Sequence, residues 1–396
     1  MQNSKPDLTA ALCAYLSARA NVPTLMQEVF EQAPEYSLAH SMQGYLLKLA
    51  AHPSLAEQLQ THSRRATAAA QTEQEQGHAL ALHAWCNDDV DGAITHLEGL
   101  IAADNLDVLA LRVAHYLHFY KGSGAAMHGS TQRAMDRWQL PDRLHGYLLG
   151  MHAFGLEEDG RYAEAESLAR EALAINPDDL WSVHAVAHVL YSRGEYDAGI
   201  AWLASHAAAL EGANNFRYHL HWHAALFWLG LGEPDQALGI YDTQLEASLG
   251  DDFYLDMCNN ASLLWRLEQA GLDVGSRWQQ LLPGAQAHVD DRELVFASLH
   301  YGLVLARMGD GTFDRFRENL AGWAAHSGGQ AAVCETVGQQ VAAALQQQFA
   351  EQQVSAVPEL ADHTSDGGWN DAALRAMGGS RAQREVFLTL PVPASG

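Results

Sequence analysis

The chain has few of the features that mark membrane, nucleic-acid-binding or secreted proteins. Lys and Arg number 23 against 48 Asp and Glu, so the formal net charge is −25, and an acidic surface repels phosphate backbones. No stretch approaches the roughly 20 apolar residues that a membrane helix needs. The N-terminal run MQNSKPDLTAALCAYL shows no signal-peptide pattern. We therefore expect neither a nucleic-acid nor a membrane partner.

Cysteine and the common catalytic motifs are also scarce. The four cysteines, Cys13, Cys86, Cys258 and Cys334, are far apart and form no CxxC. This spacing predicts a reduced, cytoplasmic protein and excludes a thiolate metal site. The sequence contains no Walker loop, no GxGxxG after a strand and no GxSxG. Period-two alternation, the mark of half-buried strands, is nearly absent.

A repeat of turns and helices takes the place of strands. The segments GRYAEAESL, GEYDAGIAWL and GEPDQALGIY begin at Gly160, Gly194 and Gly232, 34 and then 38 residues apart. Each places a turn glycine before a helix with small residues at three- and four-residue spacing, such as Ala165 and Ala169. This is typical of tetratricopeptide repeats, in which two antiparallel helices stack on the next pair to bury their apolar faces.

The pattern predicts an all-α fold, a tetratricopeptide-like α-solenoid of antiparallel helix pairs curled around a central groove. Residues 1–350 are expected to form one repeat domain, with the clearest repeats at 78–250. Residues 351–396 are expected to form a C-terminal arm with a short final helix. Within the domain, GSGAAMHG at 122–129 is interpreted as a loop, and PSL at 53–55 and PGA at 283–285 as helix breaks.

Two pairs of histidines are the main functional signal. His184 and His188 lie in WSVHAVAHVL, and His219 and His223 lie in YHLHWHAALF. Residues four apart occupy one face of a helix, and the repeat register places both pairs on or beside the groove-facing side. Because successive first helices of a solenoid are neighbours, the four imidazoles are expected to converge on one divalent metal.

The predicted chemistry has alternatives. Imidazoles with carboxylates suit Zn, Ni, Cu or Fe, and the metal would activate water for hydrolysis, or oxygen. Without a metal, paired histidines would serve as general acid and base. Ala185 stands where the zinc-protease helix has its glutamate, so Glu158 is the candidate base. The other candidates are His115 and His300 for catalysis and Trp181 and Trp222 for substrate binding.

Several longer runs make the chain similar to the tetratricopeptide repeat protein 38 family, from about ALHAW to LARMGD. They are AFGLEEDGRYAEAE, EALAINPDDLWSVHAVAH, HLHWHAALF and SLLWRLEQAGLDVGSRW. The resemblance implies a tetratricopeptide fold and no settled activity. It also implies histidines and a tryptophan at the positions of His115, His184, His188, His219, Trp222, His223 and His300.

The rival prediction is a non-enzymatic scaffold. Most tetratricopeptide proteins bind partners, and a hydrogen-bonded histidine network would then line a peptide-binding groove. Against this, the sequence places His and Trp in the groove where scaffolds for acidic peptide tails use Lys and Arg. The sequence therefore leaves open whether the ligand is a small-molecule substrate or a peptide, and whether the chain forms a homo-oligomer.

Overall fold

The computed structural model describes residues 6–103 and 106–354, and these residues are almost entirely helical. They contain no strand, only an isolated antiparallel bridge between Arg19 and Ala213. The contacts divide the chain into two units, Met1–Arg217 and Tyr218–Gly396. Residues 355–396, which hold most of the predicted arm and its final helix, lie outside the described part. None of the described helices has the length and apolar character needed to cross a bilayer.

Unit 1 is a succession of helices that pack against their neighbours in sequence. A short 3₁₀ turn, Pro53–Leu55, lies at the predicted PSL break, and another, Ala207–Leu210, follows the last full helix. The helices are α1 (Thr9–Leu16), α2 (Val22–Gln32), α3 (Ser37–Leu49), α4 (Ala56–Ala69), α5 (Glu73–Cys86), α6 (Val90–Ala102), α7 (Val108–Tyr120), α8 (Gly124–Met135), α9 (Asp142–Glu158), α10 (Tyr162–Ile175), α11 (Leu180–Ser192) and α12 (Tyr196–Ser205).

Unit 2 is also helical. Its first helix, α13, begins at Phe216, two residues before the unit begins at Tyr218. Short 3₁₀ and π segments at Tyr241–Leu245, Glu246–Asp251 and Cys334–Gly338 interrupt unit 2. The helices are α13 (Phe216–Gly230), α14 (Pro234–Ile240), α15 (Tyr254–Gln269), α16 (Arg277–Ala287), α17 (Val295–Met308), α18 (Thr312–Ala324), α19 (Gly329–Val333) and α20 (Gln339–Val354).

The repeat glycines and alanines behave as the sequence predicts, and the all-α class is confirmed. Gly160, Gly194 and Gly232 have φ angles of 80°, 69° and 75°, a left-handed region that glycine enters without steric cost. The small residues Ala165 and Ala169 of α10 are completely buried. Because a methyl group takes little room, α10 can approach the preceding helix closely.

The beginning of unit 1 contacts its end. The Arg19 guanidinium donates hydrogen bonds to the backbone carbonyls of Ala209, Glu211 and Asp178, at 3.1, 2.9 and 2.9 Å. Two backbone hydrogen bonds, Asn214 N–H to the Ala18 carbonyl and Ala20 N–H to the Gly212 carbonyl, hold the same junction at 2.8 and 3.0 Å. Unit 1 is therefore closed on itself, with α1 beside the segment that follows α12.

Helix α9 is the central helix of unit 1. Every residue from Gly146 to Glu158 is buried, and its glycines let neighbouring elements approach. A Cβ on Gly150 would lie 2.3 Å from the Ser182 hydroxyl of α11, and one on Gly155 would lie 2.6 Å from the backbone nitrogen of His128 in α8. Real Cβ contacts are not this short, so the glycines fix the spacing of α9 from both neighbours.

In unit 2, a histidine lies between two carboxylates. His288 contacts Asp291 Oδ2 through Nδ1 at 2.6 Å and Asp252 Oδ1 through Nε2 at 2.8 Å. These hydrogen bonds, Asp291 first, raise the pKa of His288 from 6.5 to about 9 despite its burial. The ring is therefore an imidazolium at neutral pH, and this ion triad stabilises the turn that precedes α17.

Two local predictions are wrong. The run GSGAAMHG does not form a loop, since α8 begins at Gly124 and the Ser123 hydroxyl accepts a hydrogen bond from the Ala126 N–H at its N-terminus. PGA at 283–285 does not break a helix either, because Pro283 lies inside α16. The capping serine and the helix-forming Ala and Met residues outweigh the glycines in α8, and α16 tolerates the loss of one backbone hydrogen bond.

Candidate functional site

The predicted pair His184 and His188 forms a buried polar cluster with α9. The two Nε2 atoms are 2.8 Å apart, and His188 Nδ1 lies 3.4 Å from Glu157 Oε2. All three side chains are buried. The repeat register predicts that the histidines face the central groove; in the structure Phe154 of α9 packs over both rings, with centroid distances of 5.4 and 5.6 Å.

This cluster holds a shared proton. An N–H···N hydrogen bond requires one Nε2 to be protonated and the other to present its lone pair. If His184 donates, His188 carries its own proton on Nδ1, where it faces the Glu157 carboxylate. The three side chains are therefore neighbours in the order His184, His188, Glu157.

Glu158, the predicted base, lies beside this cluster. One ligand atom each of Glu157, Glu158 and His188 fall within 4.8 Å of one another, and all three residues are buried. Buried carboxylates are stable only when they are paired, protonated or bound to a cation. The sequence singles out Glu158 and misses Glu157, although the two are adjacent. The available signal is the acidic run Glu157, Glu158 and Asp159 directly before the turn glycine Gly160.

Local structure fixes the orientation of α11. Asp179 is its N-cap and accepts hydrogen bonds from the backbone N–H groups of Trp181 and Ser182, at 3.0 and 3.4 Å, and from the Ser182 hydroxyl. Burial raises the pKa of the Asp179 carboxyl to about 6 against these hydrogen bonds. Because the cap lies against Gly150, it also sets the depth at which α11 meets α9.

The second pair, in unit 2, has a similar arrangement. His219 and His223 of α13 have their Nε2 atoms 3.2 Å apart, and His219 Nδ1 lies 3.0 Å from Asn259 Oδ1 of α15. The amide oxygen accepts the Nδ1 proton, so the neutral His219 ring presents the lone pair of Nε2. Asn259 is a partner that the sequence does not predict, because no short spacing connects α13 to α15.

Both pairs have metal-ligand chemistry. Ligating imidazoles commonly donate their other N–H to an oxygen; His219 donates to Asn259 in this way, and His188 has Glu157 Oε2 3.4 Å from its Nδ1. Two nitrogens on a tetrahedral zinc lie about 3.3 Å apart, given Zn–N distances of about 2.0–2.1 Å. The observed 3.2 Å in unit 2 fits without movement, and the 2.8 Å in unit 1 requires the rings to separate slightly.

The predicted substrate-binding tryptophans have different surroundings. Trp222 is buried in unit 2, stacks on His219 at 5.3 Å and donates its Nε1–H to the Ser262 hydroxyl at 2.9 Å. Trp181 in unit 1 is only half-buried and stacks on Phe216 with ring centroids 4.0 Å apart. Of the two tryptophans, Trp181 therefore presents part of its ring at a surface.

The remaining catalytic candidates are buried single histidines. His115 of α7 donates its Nε2–H to the Met151 carbonyl of α9 at 2.9 Å, and burial lowers its pKa to about 3. His300 of α17 donates its Nδ1–H to the Phe296 carbonyl at 2.8 Å, and burial lowers its pKa to about 4. Both rings are therefore neutral at physiological pH, as a general base requires. Within unit 1, the Phe154 ring lies between His115 and His184.

Comparison with known proteins supports the repeat. A family model described as tetratricopeptide repeat matches residues 156–220, which include α10 to α12. The chain is also similar to the tetratricopeptide domain of P58(IPK), whose crystal structure was determined at 2.5 Å. The match has 13% identity, a TM-score of 0.22 and coverage of 84% of each chain. Since that TM-score is too low to support an argument, the fold assignment depends on the repeat match and on the helices themselves.

Proposed function

We propose that the protein is a tetratricopeptide-type interaction module that binds a peptide segment of a partner protein on the first helices of its repeats. The repeat match over residues 156–220 carries this proposal, because such repeats expose one helix of each pair for binding. Tyr116, Tyr120 and Trp181, three half-buried aromatic residues of α7 and α11, add a surface of the composition that interfaces favour. The net charge of −25 favours a neutral or basic peptide.

Peptide-library selection on the full chain tests this function. We expect enriched peptides to bind the wild type with micromolar affinity and to lose about tenfold in Tyr120→Ala, which removes one aromatic contact of the surface. Tyr196→Ala, on the second helix of its repeat, is the matched control and should bind normally. A library without enriched sequences, or peptides that bind Tyr120→Ala as tightly as wild type, would refute the proposal.

A second candidate function is a divalent-metal site, supported by the buried group of Glu157, Glu158 and His188. In this proposal His184 and His188 supply imidazoles in unit 1, and His219 and His223 supply a second imidazole pair in unit 2. Zn, Ni, Cu and Fe remain the alternatives. The metal would activate water or oxygen on a small-molecule substrate, with Glu158 as base. We also propose that the chain is related to the tetratricopeptide repeat protein 38 family. The sequence runs that resemble this family, such as AFGLEEDGRYAEAE and HLHWHAALF, support the relationship.

Metal analysis of tag-free protein tests the second function without any assay of activity. After incubation with each metal and gel filtration, we expect about one equivalent in the wild type and less than a tenth of that in His188→Ala. The exposed His83→Ala is the matched control, and circular dichroism checks that each variant is folded. Equal, negligible metal in all three proteins would exclude the site.

A further inference from the structure

Unit 1 buries a guanidinium that has no carboxylate within ion-pair distance among the described residues. Arg112 of α7 is 3% exposed and lies between the rings of Trp181 and Tyr116, with its Cζ atom 4.1 and 4.3 Å from their centroids. Its Nη2–H donates to the Tyr116 hydroxyl at 3.1 Å. Within residues 6–103 and 106–354, no Asp or Glu oxygen lies within 4.0 Å of this group. Buried charges are normally paired, so an isolated one calls for an explanation.

Three hydrogen-bond donors around this guanidinium lack acceptors. Arg112 Nε, the Tyr15 hydroxyl and Trp181 Nε1 are all shielded from solvent, and none has a hydrogen-bond acceptor in the described part of the chain. The three residues are neighbours, because the Trp181 ring covers Arg112 and the Arg112 charge acts on the Tyr15 hydroxyl. Burial raises the pKa of Tyr15, and the nearby Arg112 charge opposes this change. Leaving each donor unpaired costs about 1–3 kcal/mol.

The closure of unit 1 creates this arrangement. Tyr15 lies in α1, far in sequence from Arg112 and Trp181, and reaches them because Arg19 binds the carbonyls of Asp178 and Ala209. The three residues therefore become neighbours only in the folded, closed unit. Tyr15, Tyr116 and Trp181 are only half-buried, so the border of the cluster reaches the surface.

We propose that Arg112, the Tyr15 hydroxyl and the Trp181 indole N–H bind the carboxylate of a small organic monoacid. A carboxylate only accepts hydrogen bonds and matches the planar guanidinium, so it satisfies all three donors and neutralises the charge. A dianion such as phosphate is disfavoured, because Arg112 supplies a single positive charge, which the Asp179 carboxyl also attracts from beyond ion-pair distance. This site goes beyond the partner-binding function, since its ligand is a small molecule and its test requires no peptide.

Calorimetric titration of the full chain with benzoate tests the site. We expect saturable binding of benzoate, no binding of the neutral isostere benzamide and no competition from inorganic phosphate. Tyr15→Phe should weaken binding about tenfold or more, since it removes a hydrogen bond to a charged group. Arg112→Gln should abolish binding. Tyr241→Phe, which removes another shielded hydroxyl without an acceptor but in unit 2, should bind normally.

Melting temperatures of wild type and Tyr15→Phe test the site even if Arg112→Gln does not fold. Without ligand, Tyr15→Phe should melt at the same or a higher temperature than wild type, because it removes an unsatisfied hydroxyl. With saturating benzoate, the wild type should gain more in melting temperature than the variant. The proposal is overturned if benzoate does not bind, if it binds Tyr15→Phe with wild-type affinity, or if Tyr15→Phe is destabilised without ligand.

Discussion

The ion triad at His288 should make the stability of the protein decrease at alkaline pH. The folded state raises the pKa of this imidazole from 6.5 to about 9, and a tenfold change in an acid dissociation constant corresponds to about 1.4 kcal/mol. The whole pKa difference would give about 3 kcal/mol, but the Asp252 side chain is 63% exposed, so solvent screening reduces our expectation to about 2 kcal/mol. Because the folded pKa is raised, this stability is fully present below pH 6.5 and is lost as the pH rises through 9.

Urea unfolding of wild type and His288→Gln at pH 6, 7.5 and 9.5 measures this effect. We expect the wild type to exceed the variant by about 2 kcal/mol at pH 6 and by close to zero at pH 9.5. Titration of the His288 ring by nuclear magnetic resonance gives its pKa directly. A stability difference that is independent of pH, or a ring that titrates near 6.5, would refute the reasoning, since either shows that the carboxylates do not hold the proton.

Three further experiments test the packing and electrostatics. Gly155→Ala should lower the free energy of unfolding by about 1–3 kcal/mol, because its Cβ would clash with the backbone of α8. The control Gly239→Ala, whose Cβ would have nothing within 4 Å, should leave stability unchanged or raise it by up to about 1 kcal/mol. Thermal denaturation compares the two variants. Burial raises the pKa of the Asp179 carboxyl to about 6 in the folded protein, so its ionisation above that pH opposes folding. Asp179→Asn cannot ionise, and its stability should therefore rise by about 2 kcal/mol relative to wild type between about pH 4 and pH 7. Denaturant unfolding at both pH values measures this difference. Trp222→Phe should lower the free energy of unfolding by about 2 kcal/mol and Ser262→Ala by about 1 kcal/mol. If the two side chains stabilise the protein through their hydrogen bond, the double mutant should lose no more stability than Trp222→Phe alone.

Sequence reasoning succeeds where the determinant is local. The turn glycines at Gly160, Gly194 and Gly232 are required by backbone sterics. The histidines four residues apart meet because any helix brings such residues together. The repeat register does not predict Phe154, which α9 places over these rings.

Sequence reasoning does not predict the polar partners of the histidines and of Arg112, because these partners lie on helices that are distant in sequence. Glu157 reaches His188 only because Gly150 lets α9 approach α11. Asn259 reaches His219 across 40 residues, and Tyr15 reaches Arg112 only when unit 1 closes. Hydrophobic periodicity gives the direction that a residue faces, whereas the identity of its neighbour depends on interhelical spacing that a single sequence does not encode in any short pattern.

The burial of α9 on every side has a consequence for how this chain can vary. A surface helix accepts many substitutions on the face that contacts solvent. In α9 the residues from Gly146 to Glu158 are all buried, so each substitution there changes the volume or the charge of the interior. Repeats elsewhere in unit 1 can tolerate altered lengths and outer surfaces. In distant homologues we therefore expect α9 to be the segment by which the unit can still be recognised.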